Sequence, residues 1–247
     1  MMEKRIAIVT GASRGIGRAI AQKLSVDGFF VVMVVSTDIA GCETLRNEIG
    51  TDKSSAHLCH IGKSEPVAAL FAEVMKQHGR VDVVVNNAGI IKDNMIWKMS
   101  EEDFDTVINV NLKGTWLMCK EAAKIMKEQK SGRVINISSR AWLGNRGQSN
   151  YSASKGGVNA LTRVLALELG KFNVLVNAVA PGLIETPMTQ ALKPEVQQQL
   201  IDAQPTKTMG KPEDVANVVA FLASEKAQFI TGQLIYVDGG KSIGAGS

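Results

Sequence analysis

Aromatic residues are scarce in this 247-residue chain: seven Phe, three Trp and two Tyr, 5% of the whole. A core built from it must therefore be mostly aliphatic, and with 45% hydrophobic residues there is enough to bury one domain well. The three cysteines, Cys42, Cys59 and Cys119, form no CxxC pair and cannot all be disulfide-bonded. That argues against a disulfide scaffold and for a reduced, cytoplasmic setting. Prolines number only six and no stretch is compositionally biased, which argues against a long disordered region. Long apolar runs are also missing. The longest, Phe29 to Val35, is far too short to cross a membrane, and Met1-Met2-Glu3-Lys4-Arg5 runs straight into a strand-like stretch instead of a secretory leader. The formal charge of +4 is small and its Lys and Arg are scattered, so no nucleic-acid surface is expected.

Short apolar runs alternate with longer amphipathic stretches. The runs are Ile6–Val9, Phe29–Val35, Val81–Val85, Val134–Ile137, Val174–Val179 and Leu234–Val237, with a weaker one near Ser55–Cys59. They are rich in Val and Ile and barely alternate with polar residues, as strands buried on both faces do. Helical patterns lie between them: the stripe Ile16, Ala19, Ile20, Leu24, and stretches near 38–49, 64–78, 101–128, 151–170 and 212–224. This order predicts a single α/β domain over 1–247, with a parallel sheet of about seven strands and helices on both faces. The stretch from about 187 to 212, with four prolines, breaks the rhythm and is expected to form a small helical lid.

Thr10-Gly11-Ala12-Ser13-Arg14-Gly15-Ile16-Gly17 follows the first strand and opens the first helix. Gly11, Gly15 and Gly17 allow a tight turn and a close approach to a pyrophosphate, and the helix start offers free N–H groups to the anion. In that position the turn reads as a dinucleotide site. The second strand ends in Val35-Ser36-Thr37, and the first acid, Asp38, comes late for a ribose. Arg14, Ser36 and Thr37 could instead hold a 2′-phosphate, so NADP(H) is favoured over NAD(H).

Tyr151-Ser152-Ala153-Ser154-Lys155 places Tyr151 and Lys155 on one helix face. A free phenol has a pKa near ~10. Proton exchange near neutrality needs a lower value, which an adjacent ammonium would favour. The strand before it ends in Ser138-Ser139, at the edge where α/β sheets bind ligands. Asn86-Asn87-Ala88-Gly89 follows another strand, and Asn109-Val110-Asn111 lies in a helical stretch. Buried Asn is costly without partners, so these are either satisfied structurally or recruited to a site.

With these motifs the chain resembles the short-chain dehydrogenase/reductase superfamily nearly end to end. The match rests on TGASRGIG (10–17), NNAG (86–89), NVNLKG (109–114), INISS (135–139), YSASK (151–155), NAVAPGLIETPM (177–188) and ITGQLIYVDGG (230–240). Within it the chain is most similar to β-ketoacyl-ACP reductases and acetoacetyl-CoA reductases. The resemblance implies a Rossmann-type doubly wound fold, usually assembled as a homotetramer or dimer, and an NADPH-dependent reduction of a ketone, in the first place a 3-oxoacyl thioester. The alternatives are a dehydrogenase of cyclic, sugar or other secondary alcohols and, from another class, a non-catalytic dinucleotide-binding protein. By resemblance Tyr151 is the general acid/base, Lys155 binds the nicotinamide ribose, a serine orients the carbonyl and Asn111 holds a relay water. Asn87, Ala88 and Gly89 would line the adenosine side with His60 beside the adenine, and Ser13 and Ile61 are further cofactor-binding candidates. Pro181, Gly182, Ile184 and Thr186 would surround the nicotinamide.

Three places depart from the family pattern. Counting along strand and helix from Asn111 puts the family serine at Ser139, whereas the family spacing counted back from Tyr151 gives Ser138. The loop 140–150 looks one residue short, and loops absorb deletions more readily than strands, so Ser139 is preferred. His60 stands where the family has Asp or Asn. With His57 and Cys59 it invites a metal reading, but alternation splits them between faces, so none is expected. Of two basic residues that reductases of acyl carrier protein (ACP) substrates tend to carry near the active-site mouth, Lys130 fits one; the other falls on Phe172, beside Lys171. ACP is therefore expected only as an alternative carrier. Trp97, Met95, Trp142 and Arg146 could shape the pocket or merely pack its rim.

Overall fold

The computed structural model describes residues 4–243. Seven strands are present: β1 (Ile6–Thr10), β2 (Phe30–Val35), β3 (Ser54–Leu58), β4 (Val83–Asn86), β5 (Gly132–Ile137), β6 (Val174–Pro181) and β7 (Leu234–Val237). They form one sheet in the order β3-β2-β1-β4-β5-β6-β7, with every neighbouring pair parallel. The chain winds outward from β1 to β3, returns to β4 beside β1, and then winds the other way. The carboxyl ends of β1 and β4 therefore flank a switch-point crevice, the expected place for a ligand.

Alternation along each strand divides the core in two. Ala7 and Val9 face α1 (Gly15–Val26), α2 (Ile39–Ile49) and α9 (Pro212–Ala223), packing with Ile20, Leu24, Leu45, Val215 and Val219. Ile6 and Ile8 face α3 (Ser64–His78), α5 (Thr115–Gln129) and α6 (Ser149–Leu169), packing with Leu70, Phe71, Met118, Ala122 and Leu165. Both faces of β1 are thus covered, which is why its sequence shows no polar alternation. Among the described residues no helix is long and apolar enough to cross a membrane.

The helix expected over 101–128 runs unbroken but is not α-helical throughout. It comprises α4 (Glu101–Ile108), a π-helical segment Asn109–Gly114, and α5. The Thr115 hydroxyl donates to the Asn111 carbonyl at 2.8 Å, and a Cβ at Gly114 would lie 2.9 Å from Ile61 Cγ1, so the segment packs directly on the residue that follows β3. Such bulges often mark sites where backbone geometry matters. Over the carboxyl edge, α7 (Pro187–Gln190) and α8 (Pro194–Asp202) form the segment expected as a lid, each opening on a proline.

Candidate active site

The glycine turn is built by close approach. Gly11 has φ +66° and Gly15 φ +54°, both left-handed, and the Gly11 N–H donates to the Val34 carbonyl at 2.7 Å. A Cβ at Gly17 would sit 2.1 Å from the Gly11 carbonyl oxygen, so no side chain fits there. Asn87 clasps the turn from β4: its Nδ2 donates to the Thr10 and Gly11 carbonyls at 2.9 and 3.2 Å. The Thr10 hydroxyl in turn accepts from the Asn87 and Ala88 N–H groups, each at 3.0 Å. Sequence reasoning included Thr10 in the motif but assigned it no role; only the tertiary contact reveals the clasp.

The turn delivers α1 with an open start. Its N-cap residue, Arg14, has an extended backbone and makes no capping hydrogen bond, and no acid stands in the first turn. The free N–H groups and the positive end of the dipole are therefore available to an anion, which fits a dinucleotide pyrophosphate. Ser13 and Ile16 are half-buried in the turn and Arg14 is exposed. At the end of β2, Ser36 and Thr37 are exposed. Asp38 caps α2, its Oδ1 accepting from the Gly41 N–H at 3.1 Å.

The remaining expected residues also reach the carboxyl edge. Past β3, His60 is exposed and Ile61 buried. Past β6, Pro181 and Ile184 are buried and Gly182 and Thr186 half-buried. Ile184 belongs to the core beside α9, and Thr186 lies against the glycine turn, its Cγ2 3.5 Å from where a Gly15 Cβ would be. Among the described residues no group of three or more His, Cys, Asp and Glu side chains is placed to hold a metal ion.

Tyr151 and Lys155 project from α6 toward the end of β5. Lys155 is buried, and its Nζ donates to the Ile137 carbonyl at 2.7 Å. Burial pulls its ammonium down to about 8. The Nζ lies 5.6 Å from the Tyr151 ring centroid. Tyr151 departs from the sequence expectation: burial pushes its phenol up, a hydrogen bond with Ser139 opposes this, and the Asp93 carboxylate adds to the rise. The lysine neighbour alone does not lower the phenol, because desolvation of the phenolate outweighs what the other side chains supply.

The two serines diverge, as alternation at a strand end requires. Ser138 is buried and its hydroxyl reaches the Lys155 carbonyl at 3.4 Å. Ser139 is half-buried, within hydrogen-bonding reach of the Tyr151 phenol, and accepts from the Ala141 N–H at 3.1 Å.

Asn111 is fully buried in the π segment and acts as a clamp. Its Oδ1 accepts from the Ile90 N–H at 2.8 Å, and its Nδ2 donates to the Ile90 carbonyl at 3.0 Å and to Ser154 Oγ at 3.2 Å. Ser154 donates to the Tyr151 carbonyl at 2.7 Å, so the π segment is tied to the first turn of α6. A Cβ on Gly89 would fall 3.3 Å from Asn111 Oδ1 and 3.6 Å from Lys155 Nζ, so the end of β4 closes the same cluster. A phenol, a hydroxyl and a buried amine beside an uncapped helix start can bind a carbonyl oxygen and exchange a proton with it.

The basic residues expected at the mouth lie elsewhere in this chain. Lys130 ends α5 just before β5, and Lys171 lies just before β6, its Nζ 5.1 Å above the Phe172 ring centroid. Both are at the amino edge of the sheet, opposite Tyr151, because each helix of a parallel α/β unit runs back from the ligand edge.

The chain is similar to known proteins over nearly its whole length. Residues 11–242 match the family model described as enoyl-(acyl carrier protein) reductase. A subunit, BbsD, of (2S)-((R)-hydroxy(phenyl)methyl)succinyl-CoA dehydrogenase from Thauera aromatica is 42% identical over 99% of both chains. A 3-oxoacyl-(acyl-carrier-protein) reductase from Staphylococcus aureus is 44% identical over 97% of this chain and 99% of its own. The crystal structure of levodione reductase superposes with a TM-score of 0.91 at 33% identity, covering 96% of this chain and 97% of that one.

Proposed function

Since the chain belongs to the short-chain dehydrogenase/reductase family, an NAD(P)-binding oxidoreductase acting on CH–OH/C=O groups in the manner of 3-oxoacyl reductases, we propose that it reduces a 3-oxoacyl thioester with NADPH. The observation that carries this reading is the meeting of Tyr151 and Ser139 over buried Lys155, beside the uncapped start of α1. When bound, the dinucleotide supplies the hydride. Ser139 and Tyr151 would donate hydrogen bonds to the substrate carbonyl oxygen, where negative charge develops. A phenol held above its ordinary range keeps its proton at neutral pH and suits the acid role in reduction. Lys155, anchored on the Ile137 carbonyl, holds the ribose and carries replacement protons. Asn111 positions this cluster through Ile90 and Ser154.

NADPH is preferred over NADH in this reading because Asp38 is engaged as the cap of α2, while Arg14, Ser36 and Thr37 stand exposed where a 2′-phosphate would lie. The carrier is CoA or ACP, as the relatives' names suggest for those proteins. The thiols of Cys42, Cys59 and Cys119 are all free, which fits a cytoplasmic setting. A second reading, oxidation of a 3-hydroxyacyl-CoA by the same site, draws on the dehydrogenase named among the relatives.

Initial rates on acetoacetyl-CoA with NADPH, with NADH, and in reverse on 3-hydroxybutanoyl-CoA test the proposal. Reduction with NADPH is expected to exceed the other two at least tenfold, and Tyr151→Phe to abolish it. A strong NADH preference or an unimpaired Tyr151→Phe enzyme overturns it.

A further inference from the structure

Resting on the reductase reading, we propose that a chamber beneath the lid receives the non-reacting end of the substrate, and that Gln204 selects there a neutral hydrogen-bond donor, a hydroxyl in the simplest case. The chamber has a volume of about 630 Å³ and lies past the end of β7. Leu143 and Leu183 wall it, the first from the loop that begins at Ser139 and the second next to Gly182, so it shares loops with the candidate active site. Met209 and Ile243 add apolar surface.

Gln204 lines this chamber and is only 6% exposed. Its Nε2 donates to the Leu200 carbonyl at 2.8 Å. A carbonyl can only accept, so the amide nitrogen faces it and Oε1 is left without a donor from the protein. That Oε1 is buried and has no partner. Ser242 also lines the chamber, and its Oγ is likewise buried without a partner.

Of the other polar walls, Thr208 Oγ1 donates to Thr206 Oγ1 at 3.3 Å, and both carboxylates and Tyr236 are engaged. Asp238 accepts from the Gly240 and Ser242 N–H groups at 3.1 and 2.8 Å. Asp214 accepts from the Lys211 N–H at 2.7 Å. The Tyr236 hydroxyl accepts from Trp142 Nε1 at 2.8 Å. Two carboxylates in the wall disfavour an anion. A plain alkyl tail would leave the buried Gln204 oxygen without a donor, which is unfavourable. A hydroxyl on an otherwise apolar tail satisfies it, and discrimination built on a buried acceptor of this kind acts against the analogue that lacks the donor.

The test uses two substrates that differ by one hydroxyl, 3-oxohexanoyl-CoA and its 6-hydroxy counterpart, with wild type, Gln204→Leu and Gln204→Met. Wild type is expected to favour the hydroxylated thioester about tenfold in kcat/KM, through KM. In the variants that ratio falls to one or below while the melting temperature is not lowered. Equal kcat/KM for the two substrates in wild type, or an equal change on both in the variants, overturns the proposal; the chamber then simply holds water. If either variant fails to fold, the wild-type ratio and Ser242→Ala decide. If neither thioester is reduced, the reductase reading falls by itself, and calorimetric binding of the same pair to wild type still accepts or rejects the chamber's preference.

Discussion

Ser138 and Ser139 are chemically identical neighbours, and their surroundings separate them. Ser138 is buried against the Lys155 carbonyl, whereas Ser139 faces the Tyr151 phenol. Ser139→Ala is therefore expected to lower kcat by about 10²–10³, as losing one donor to a developing oxyanion does, with little change in melting temperature. Ser138→Ala is expected to leave kcat within a few-fold and to cost about 1 kcal/mol of stability. The reverse pattern, read by steady-state kinetics and thermal melts, would move the site to Ser138. Lys155 carries a separate signature. Its ammonium is disfavoured by burial, with a folded value of about 8 against an ordinary 10.5. Between these values the unfolded chain binds more protons than the folded one, so stability contributed at this position rises with pH across that window and is flat below it. The stability of wild type relative to Lys155→Met, read from melts across pH, is expected to rise from pH 8 to 10, by on the order of 3 kcal/mol in all. A pH-independent difference would refute the burial account.

At the scale of elements, the glycine turn is held by its neighbours as much as by its glycines. Thr10 and Asn87 join β1 to β4 through four hydrogen bonds, which fixes the carbonyls against which Gly17 must pass. Gly17→Ala would put its methyl carbon 2.1 Å from the Gly11 oxygen. The turn must then open, and NADPH affinity, followed by fluorescence titration, is expected to fall by tenfold or more while the sheet's circular dichroism persists. Unchanged affinity would show that the turn does not bind the pyrophosphate. The π segment was not legible in advance. Its apolar spacing reads as ordinary helix, and the extra residue per turn depends on Gly114 meeting Ile61 and on Asn111 reaching Ile90, contacts made far apart in sequence.

For the whole molecule, two apolar patches lie on different sides. On α5 and α6, Trp116, Val164 and Leu167 are exposed, Leu167 at 85%. Near α9 and the edge strand β7, Phe221 and Phe229 are exposed. Were each patch to pair with its own copy, a tetramer with dihedral symmetry would result, and a partner on the second would also cover the unpaired edge of β7. We expect light scattering to give a tetramer for wild type and a smaller species for Leu167→Glu; a monomeric wild type would show that neither patch is an interface. Such an assembly is also the one setting in which Lys130 and Lys171, remote from their own Tyr151, could border an active site.

The order of strands and helices, the parallel sheet, the glycine turn and the Tyr–Lys pair were all written locally, as apolar periodicity and short motifs, and the sequence alone determined them. Only the tertiary structure decided which serine faces the phenol, that Asn111 and Asn87 clamp backbone, that Asp38 caps a helix, that burial raises Tyr151 instead of letting Lys155 lower it, and that Gln204 lines a chamber. Each of these depends on desolvation and on hydrogen-bond partners brought together from distant segments, and neither quantity exists until the chain has folded.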